Sequence, residues 1–143
     1  MDPESMRRFA AERVEVLFNR GELDRVEEFV TEDFVNHEAW PGEDPGYEGF
    51  RLRLRRLREA IPDLSMEVHE SLAEGDLVAY RATLTGTQTG PLQGIPPTGK
   101  AFSAQQMHFL RMRDGKASEH WACRDDLGML MQLGIIPRMG QGG

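Results

Sequence analysis

Hydrophobic positions change period about halfway along the chain, and that change sets out the fold. Met6, Phe9, Val14 and Leu17 recur at roughly helical spacing, Phe18 widens the stripe, and Gly21 stops it. Asp2-Pro3-Glu4 opens this first helix: Asp caps, Pro loses no needed hydrogen bond at the first helical position, and Glu favours the positive end of the dipole. A shorter second helix holds Leu23, Val26, Phe29 and Val30, with Thr31-Glu32-Asp33 as its exit and "FVNHEAW" running extended afterwards. Pro41, Gly42, Pro45 and Gly46 make a loop. Phe50, Leu54, Leu57 and Ile61 then mark a third helix, which Pro62 ends.

Beyond Pro62 the period falls to two. Met66, Val68 and Leu72, then Val78, Tyr80, Ala82 and Leu84, form two strands hinged at Glu74-Gly75-Asp76. The breaker-rich stretch "GPLQGIPPTGK" separates them from a hairpin turning at Asp114-Gly115, where Gly accepts the positive φ of a two-residue turn. A strict two-residue turn pairs Arg113 with Lys116, Leu110 with Glu119, His108 with Trp121 and Gln106 with Cys123. One surface then carries Gln106, His108, Leu110, Glu119, Trp121, Cys123 and Asp125. The other carries Met107, Phe109, His120 and Ala122, a packing face with a polar fringe. Helices first and strands afterwards make an α+β domain, in which N-terminal helices cover a curved antiparallel sheet and enclose an apolar pocket. Residues 1–137 form this single domain and 138–143 a flexible tail.

Composition narrows the partners. A chain of 143 residues fits one domain, and its formal net charge of -7 disfavours a phosphate backbone, so nucleic acid is not expected. The basic run "FRLRLRRLRE" alternates with apolar positions and reads as an exposed helix face rather than an anion site. Cys123 is the only cysteine, so no internal disulfide or cysteine-based metal cluster is possible. Neither a bilayer-spanning run nor a signal-peptide core is visible, and a cytoplasmic protein without membrane contact is expected. The histidines at 37, 69, 108 and 120 lack close-paired ligand spacing, and by strand parity His120 faces away from His108; no metal is expected.

Six stretches, "DFVNH", "IPDL", "EGDLVAYRATLTGTQTG", "GIPPTGK", "RMRDGKASEHW" and "DDLGMLMQLG", resemble in order and spacing the SnoaL-like polyketide cyclases of the NTF2-like, ketosteroid-isomerase-like superfamily. The resemblance implies an NTF2-like cone and an intramolecular aldol condensation without a cofactor, with an aspartate as acid/base. Within the wider superfamily it also allows hydratases, dehydratases, epoxide hydrolases and non-enzymatic binders of apolar ligands. The family's aspartate, four residues after the Trp of "EHW", falls on Asp125, its polar strand position on His108, and the Asn of "VNH" on Asn36.

Physical chemistry supports such a set. A carbon flanked by carbonyls resists deprotonation by a water-exposed carboxylate, whose pKa is near 3.9, so the base needs dry surroundings. Parity would place Asp125 on the pocket face while Asp126 points away. Hydrogen-bond donors for the enolate would come from His108, Trp121 and Asn36. His37, Gln106 and Phe18 complete the expected substrate-binding set. Phe18 stands where some relatives place a tyrosine, and it cannot donate a hydrogen bond. Each residue also has a duller role: Asp125 or Asp126 could cap the last helix, and Asn36 could stabilise a turn. A small apolar substrate is the expected partner, with a homodimer or homotetramer formed through Met107, Phe109 and Ala122.

Overall fold

The structure, a computed structural model, describes residues 1–137; the tail expected at 138–143 lies outside the described residues. Helix α1 spans Pro3–Arg13, with Asp2 accepting a hydrogen bond from the Ser5 amide at its N-cap. The chain continues as one π-helical stretch, Val14–Asn19, until Gly21 turns it at φ +65°. The wider π turn puts Val14, Val16, Leu17 and Phe18 all in the interior, more than an α-helical stripe would bury.

The second helix is shorter than expected. A 3-10 turn, Leu23–Arg25, leads into α2, Val26–Phe29, and strand β1 already begins at Val30, running to Asn36. Thr31-Glu32-Asp33 is therefore strand rather than helix exit. Helix α3 covers Tyr47–Ala60. Four long strands follow: β2 Ser65–Glu74, β3 Leu77–Thr87, β4 Ala101–Arg113 and β5 Lys116–Arg124. Helix α4, Asp126–Gln132, closes the chain. Among the described residues no helix is long and apolar enough to cross a membrane.

The α+β architecture is as expected, with one correction to the sheet. Its order is β1-β5-β4-β3-β2, and β1 runs parallel to β5, so the sheet is mixed rather than purely antiparallel. Helix α3 lies between β1 and β2, a connection long enough to return the chain to the same end of the sheet. Helix α1 packs on β2 and β3, α3 on β1 and α4 on β4. Between helices and sheet lies a core that includes Met6, Leu17, Phe34, Leu54, Ile61 and Leu110.

One irregularity decides what the sheet presents to that core. Arg113 faces Lys116 as the turn requires, with Asp114 and Gly115 both at positive φ. Ser118 is then an extra residue: Met112 pairs with Ala117, but Arg111 pairs with Glu119. Ala117 and Ser118 are both buried, the mark of a β-bulge. Beyond it every β5 side chain is on the opposite face from the one strict alternation gives. Leu110 pairs with His120, His108 with Ala122 and Phe109 with Trp121. The outer face consequently carries Met107, Phe109, Trp121 and Cys123, and the inner face Gln106, His108, Leu110 and His120.

Candidate functional site

Helices, sheet and the loop between β3 and β4 enclose a cavity of about 530 Å³. Phe18, Phe50, Leu54, Met66, Leu84 and Met129 give it an apolar lining, and Leu92 and Ile95 contribute from the loop. Buried Gln88 holds that loop in place. Its amide donates to the carbonyls of Gly90 and Pro96, and its side-chain oxygen accepts from the amide and hydroxyl of Thr98.

The polar side of the cavity is built by adjacent strands. Asn36, at the end of β1, Gln106 and His108 on β4, and His120 on β5 are all buried and all line it. They form a continuous row: Gln106 Oε1 lies 2.7 Å from His108 Nε2, His108 Nδ1 lies 2.8 Å from His120 Nε2, and His120 Nδ1 lies 2.9 Å from Asn36 Oδ1. The Glu38 amide donates to the same Asn36 oxygen at 3.0 Å. Tyr80 stacks on the His108 ring at 4.9 Å, and Arg13 Nη1 donates to the Tyr80 hydroxyl at 3.4 Å.

Both imidazoles are held neutral. Burial pushes His108 down to about 3, with the nearby guanidiniums of Arg13 and Arg124 adding to the effect. Burial likewise lowers His120 well below the usual histidine range, followed by Arg13, His108, Arg124 and Arg53. At the far end of the wall stand Arg53, Arg124, Asp126 and Glu43. Arg53 Nη1 donates to the Glu38 carbonyl at 2.9 Å, and Arg124 approaches Asp126 at 3.9 Å. Burial, and then Arg124, lowers the Arg53 pKa, while Glu43, Asp126 and Glu38 act against them, so this corner mixes guanidiniums with carboxylates.

Of the residues expected from sequence, His108, Asn36, Gln106 and Phe18 line the cavity. Three expectations are corrected. Asp125 does not face the cavity: it is exposed, and its Oδ1 accepts from the Gly128 amide at 2.8 Å as the N-cap of α4. The lining instead takes its carboxylates from Asp126, Glu43 and Glu59, and of the aspartate pair it is Asp126, itself exposed, that reaches it. Trp121 lies on the outer face because of the bulge, its indole stacked on His37 at 4.7 Å with the Arg111 guanidinium over it. His37 is outside with it, paired with Glu119 at 3.1 Å.

His120 was expected to face away from His108 and instead bonds to it, for the same reason. Sequence reasoning also missed Arg53 and Arg56 in the lining, because an alternating basic helix looks solvated throughout. Arg13, completely buried on α1, carried no signal at all. Among the described residues no three metal-ligating side chains converge.

Comparison with known proteins agrees with this architecture. The chain is 34% identical over 120 residues to the aklanonic acid methyl ester cyclase DnrD of Streptomyces peucetius, covering 82% of this chain and 83% of that one. It is 32% identical over 119 residues to the nogalonic acid methyl ester cyclase of Streptomyces nogalater, covering 82% and 89%. Among solved structures, TsrD from Streptomyces laurentii superposes with a TM-score of 0.87 at 29% identity, covering 95% of this chain and 99% of that one. IdmH from Streptomyces antibioticus superposes at 0.77 with 33% identity, covering 89% and 96%. The sequence pattern of the SnoaL-like polyketide cyclases matches residues 8–133, nearly the whole described fold with its cavity and polar wall, and the chain belongs to that family.

Proposed function

We propose that this protein closes a ring in a polyketide-like substrate by an intramolecular aldol condensation that needs no cofactor. The observation that carries the reading is the cavity itself: it is apolar on most sides, and one wall gathers Asn36, Arg53, Arg124 and Asp126. An apolar enclosure suits a flat, largely hydrocarbon substrate, and a corner rich in guanidinium suits the negative charge that develops on its oxygens.

Asp126, exposed in the free protein and shielded from water once substrate fills the cavity, takes the proton from a carbon flanked by carbonyls. Asn36 and the neighbouring guanidiniums hold the enolate oxygen. The enolate carbon attacks a ketone carbon of the same molecule, a carbon–carbon bond forms, and the carbonyl electron pair moves to oxygen. That alkoxide recovers the proton from Asp126, so no atom is gained or lost. Asp125 fixes the start of α4 and so the position of its neighbour. A second copy of the chain is the proposed cover for the outer face with Met107 and Phe109, and sedimentation at micromolar concentration reads it directly.

Aklanonic acid methyl ester and nogalonic acid methyl ester, the compounds named in the two relatives, are the first substrates to assay. Asp126→Asn should lower turnover by about 10²–10⁴-fold, the usual range for a removed general base. Asp125→Asn keeps a good capping residue and should stay within about twofold of wild type. The reverse ranking would show that Asp125 leaves its cap to do the chemistry, and would overturn the assignment. Absence of ring closure with both esters and with simpler β-keto esters would overturn the cyclase reading.

A further inference from the structure

The row of four polar residues has a direction, and the direction follows from one backbone amide. The Glu38 N–H can only donate, so the atom it meets on Asn36 is the carbonyl oxygen. The same oxygen faces His120 Nδ1, which must therefore carry a hydrogen. A neutral ring holds one such hydrogen, so His120 Nε2 is bare and accepts from His108 Nδ1–H. His108 Nε2 is bare in turn, and its partner on Gln106 must be a donor. Facing Nε2 with the Gln106 oxygen, at 2.7 Å, suits only a pair of rings that carries an extra proton. Burial of both rings beside Arg13 and Arg124 opposes that proton, so the Gln106 amide turns its NH2 to His108.

Each end of the row leaves one amide atom over. Asn36 spends its oxygen inside the row, and its NH2 has no protein partner among the described residues. Gln106 likewise uses one end of its amide on His108. Both residues line the cavity at 4% and 6% exposure, and neither leftover atom is among the fully enclosed unpaired ones. With the rings neutral, the cavity meets a donor at Asn36 and an acceptor at Gln106.

We propose that Asn36, His120, His108 and Gln106 form one directional hydrogen-bond chain. It turns the Gln106 carbonyl and the Asn36 NH2 to the cavity, selecting substrates that bring a hydroxyl to Gln106 and a carbonyl to Asn36. Gln106 is then a specificity-determining residue for hydroxylated aromatic ketones. The two histidines are positioning residues: they transmit the polarity set at Glu38 across the width of two strands. The substrate part rests on the ring-closing function proposed above; the orientation of the chain does not.

Nitrogen-15 NMR of histidine-labelled protein reads the chain without any substrate. A His37→Asn/His69→Asn variant leaves only the two wall histidines to observe. Both rings should show a protonated Nδ1 and a bare Nε2, the less common tautomer in solution. A hydrogen on His108 Nε2 at pH 7 overturns the proposal.

The second arm uses anthraquinone and 2-hydroxyanthraquinone as probes, titrated by fluorescence. The hydroxylated probe should bind about fivefold tighter, the equivalent of one neutral hydrogen bond worth about 1 kcal/mol. Gln106→Met should remove that preference while still binding anthraquinone. Equal binding of both probes to the wild type overturns the specificity claim, whatever the outcome of the turnover assays.

Discussion

Arg13 is the residue that the rest of the core has least obviously accommodated. It is wholly buried, its Nε and Nη2 have no hydrogen-bond partner, and no carboxylate forms an ion pair with it among the described residues. Its contacts are one 3.4 Å bond to Tyr80 and the ring faces of Phe50 and Phe18, at 5.0 and 5.9 Å. Cation–π contacts of this kind return up to about 2 kcal/mol when desolvated. Moving an ion out of water costs several kcal/mol even after relaxation, so the balance is unfavourable. Arg13→Met, similar in length and without the charge, should therefore stabilise the fold by about 1–3 kcal/mol in urea unfolding at pH 7. A loss of stability would mean that the guanidinium has a favourable role beyond these contacts. Asp125 gives the opposite prediction from a smaller effect: Asp125→Ala removes the cap on Gly128 and should cost about 1 kcal/mol, measured the same way.

At the scale of elements, β5 shows where sequence reasoning succeeds and where it stops. The turn at Asp114-Gly115 was legible because few residues tolerate two positive φ angles in succession. Helix α3 was legible from Phe50, Leu54 and Leu57, and β2 and β3 from their alternation. The bulge was not, because Ala117 and Ser118 are small enough to sit on either face without breaking an apolar pattern. One uncounted residue exchanged Trp121 for His120 on the cavity wall and sent Glu119 outside with the indole, where His37 stacks on it. The mixed pairing of β1 with β5 was hidden for a different reason: strand direction depends on how α3 returns the chain, and side-chain pattern does not record it. Deleting Ser118 should restore strict alternation, turning Trp121 inward and His120 outward. With Trp40→Phe as background, leaving one tryptophan, the emission should shift to shorter wavelength and the two-histidine NMR contact should vanish. Unchanged emission with intact folding would show that β5 re-forms the bulge from its neighbours.

The whole molecule should lose stability in mild acid, and the histidine pair decides where. A group whose pKa is lower folded than unfolded leaves the unfolded chain holding more protons, so stability falls as pH drops below the unfolded value. For His108 the interval runs from about 6.5 down to about 3, and His120 is displaced in the same direction by the same burial and by Arg13. His108 contributes a slope of up to about 1.4 kcal/mol per pH unit within that interval, and His120 adds to it in the same direction. Surface carboxylates held low by their partners, such as Asp33 by Arg113, Asp63 by Thr87 and Glu70 by Arg81, act only below the ordinary carboxylate range. Between pH 6.5 and 4.5 the wall histidines therefore dominate, and His108 alone accounts for roughly 2 kcal/mol, a sizeable share of the stability of many domains. Urea unfolding of the His37→Asn/His69→Asn variant should show this fall, and adding Arg13→Met should make it shallower by removing the cation that both rings face. A flat profile from pH 7 to pH 5 would mean that the rings are not shielded from protons, and the neutral chain along the cavity wall could not stand.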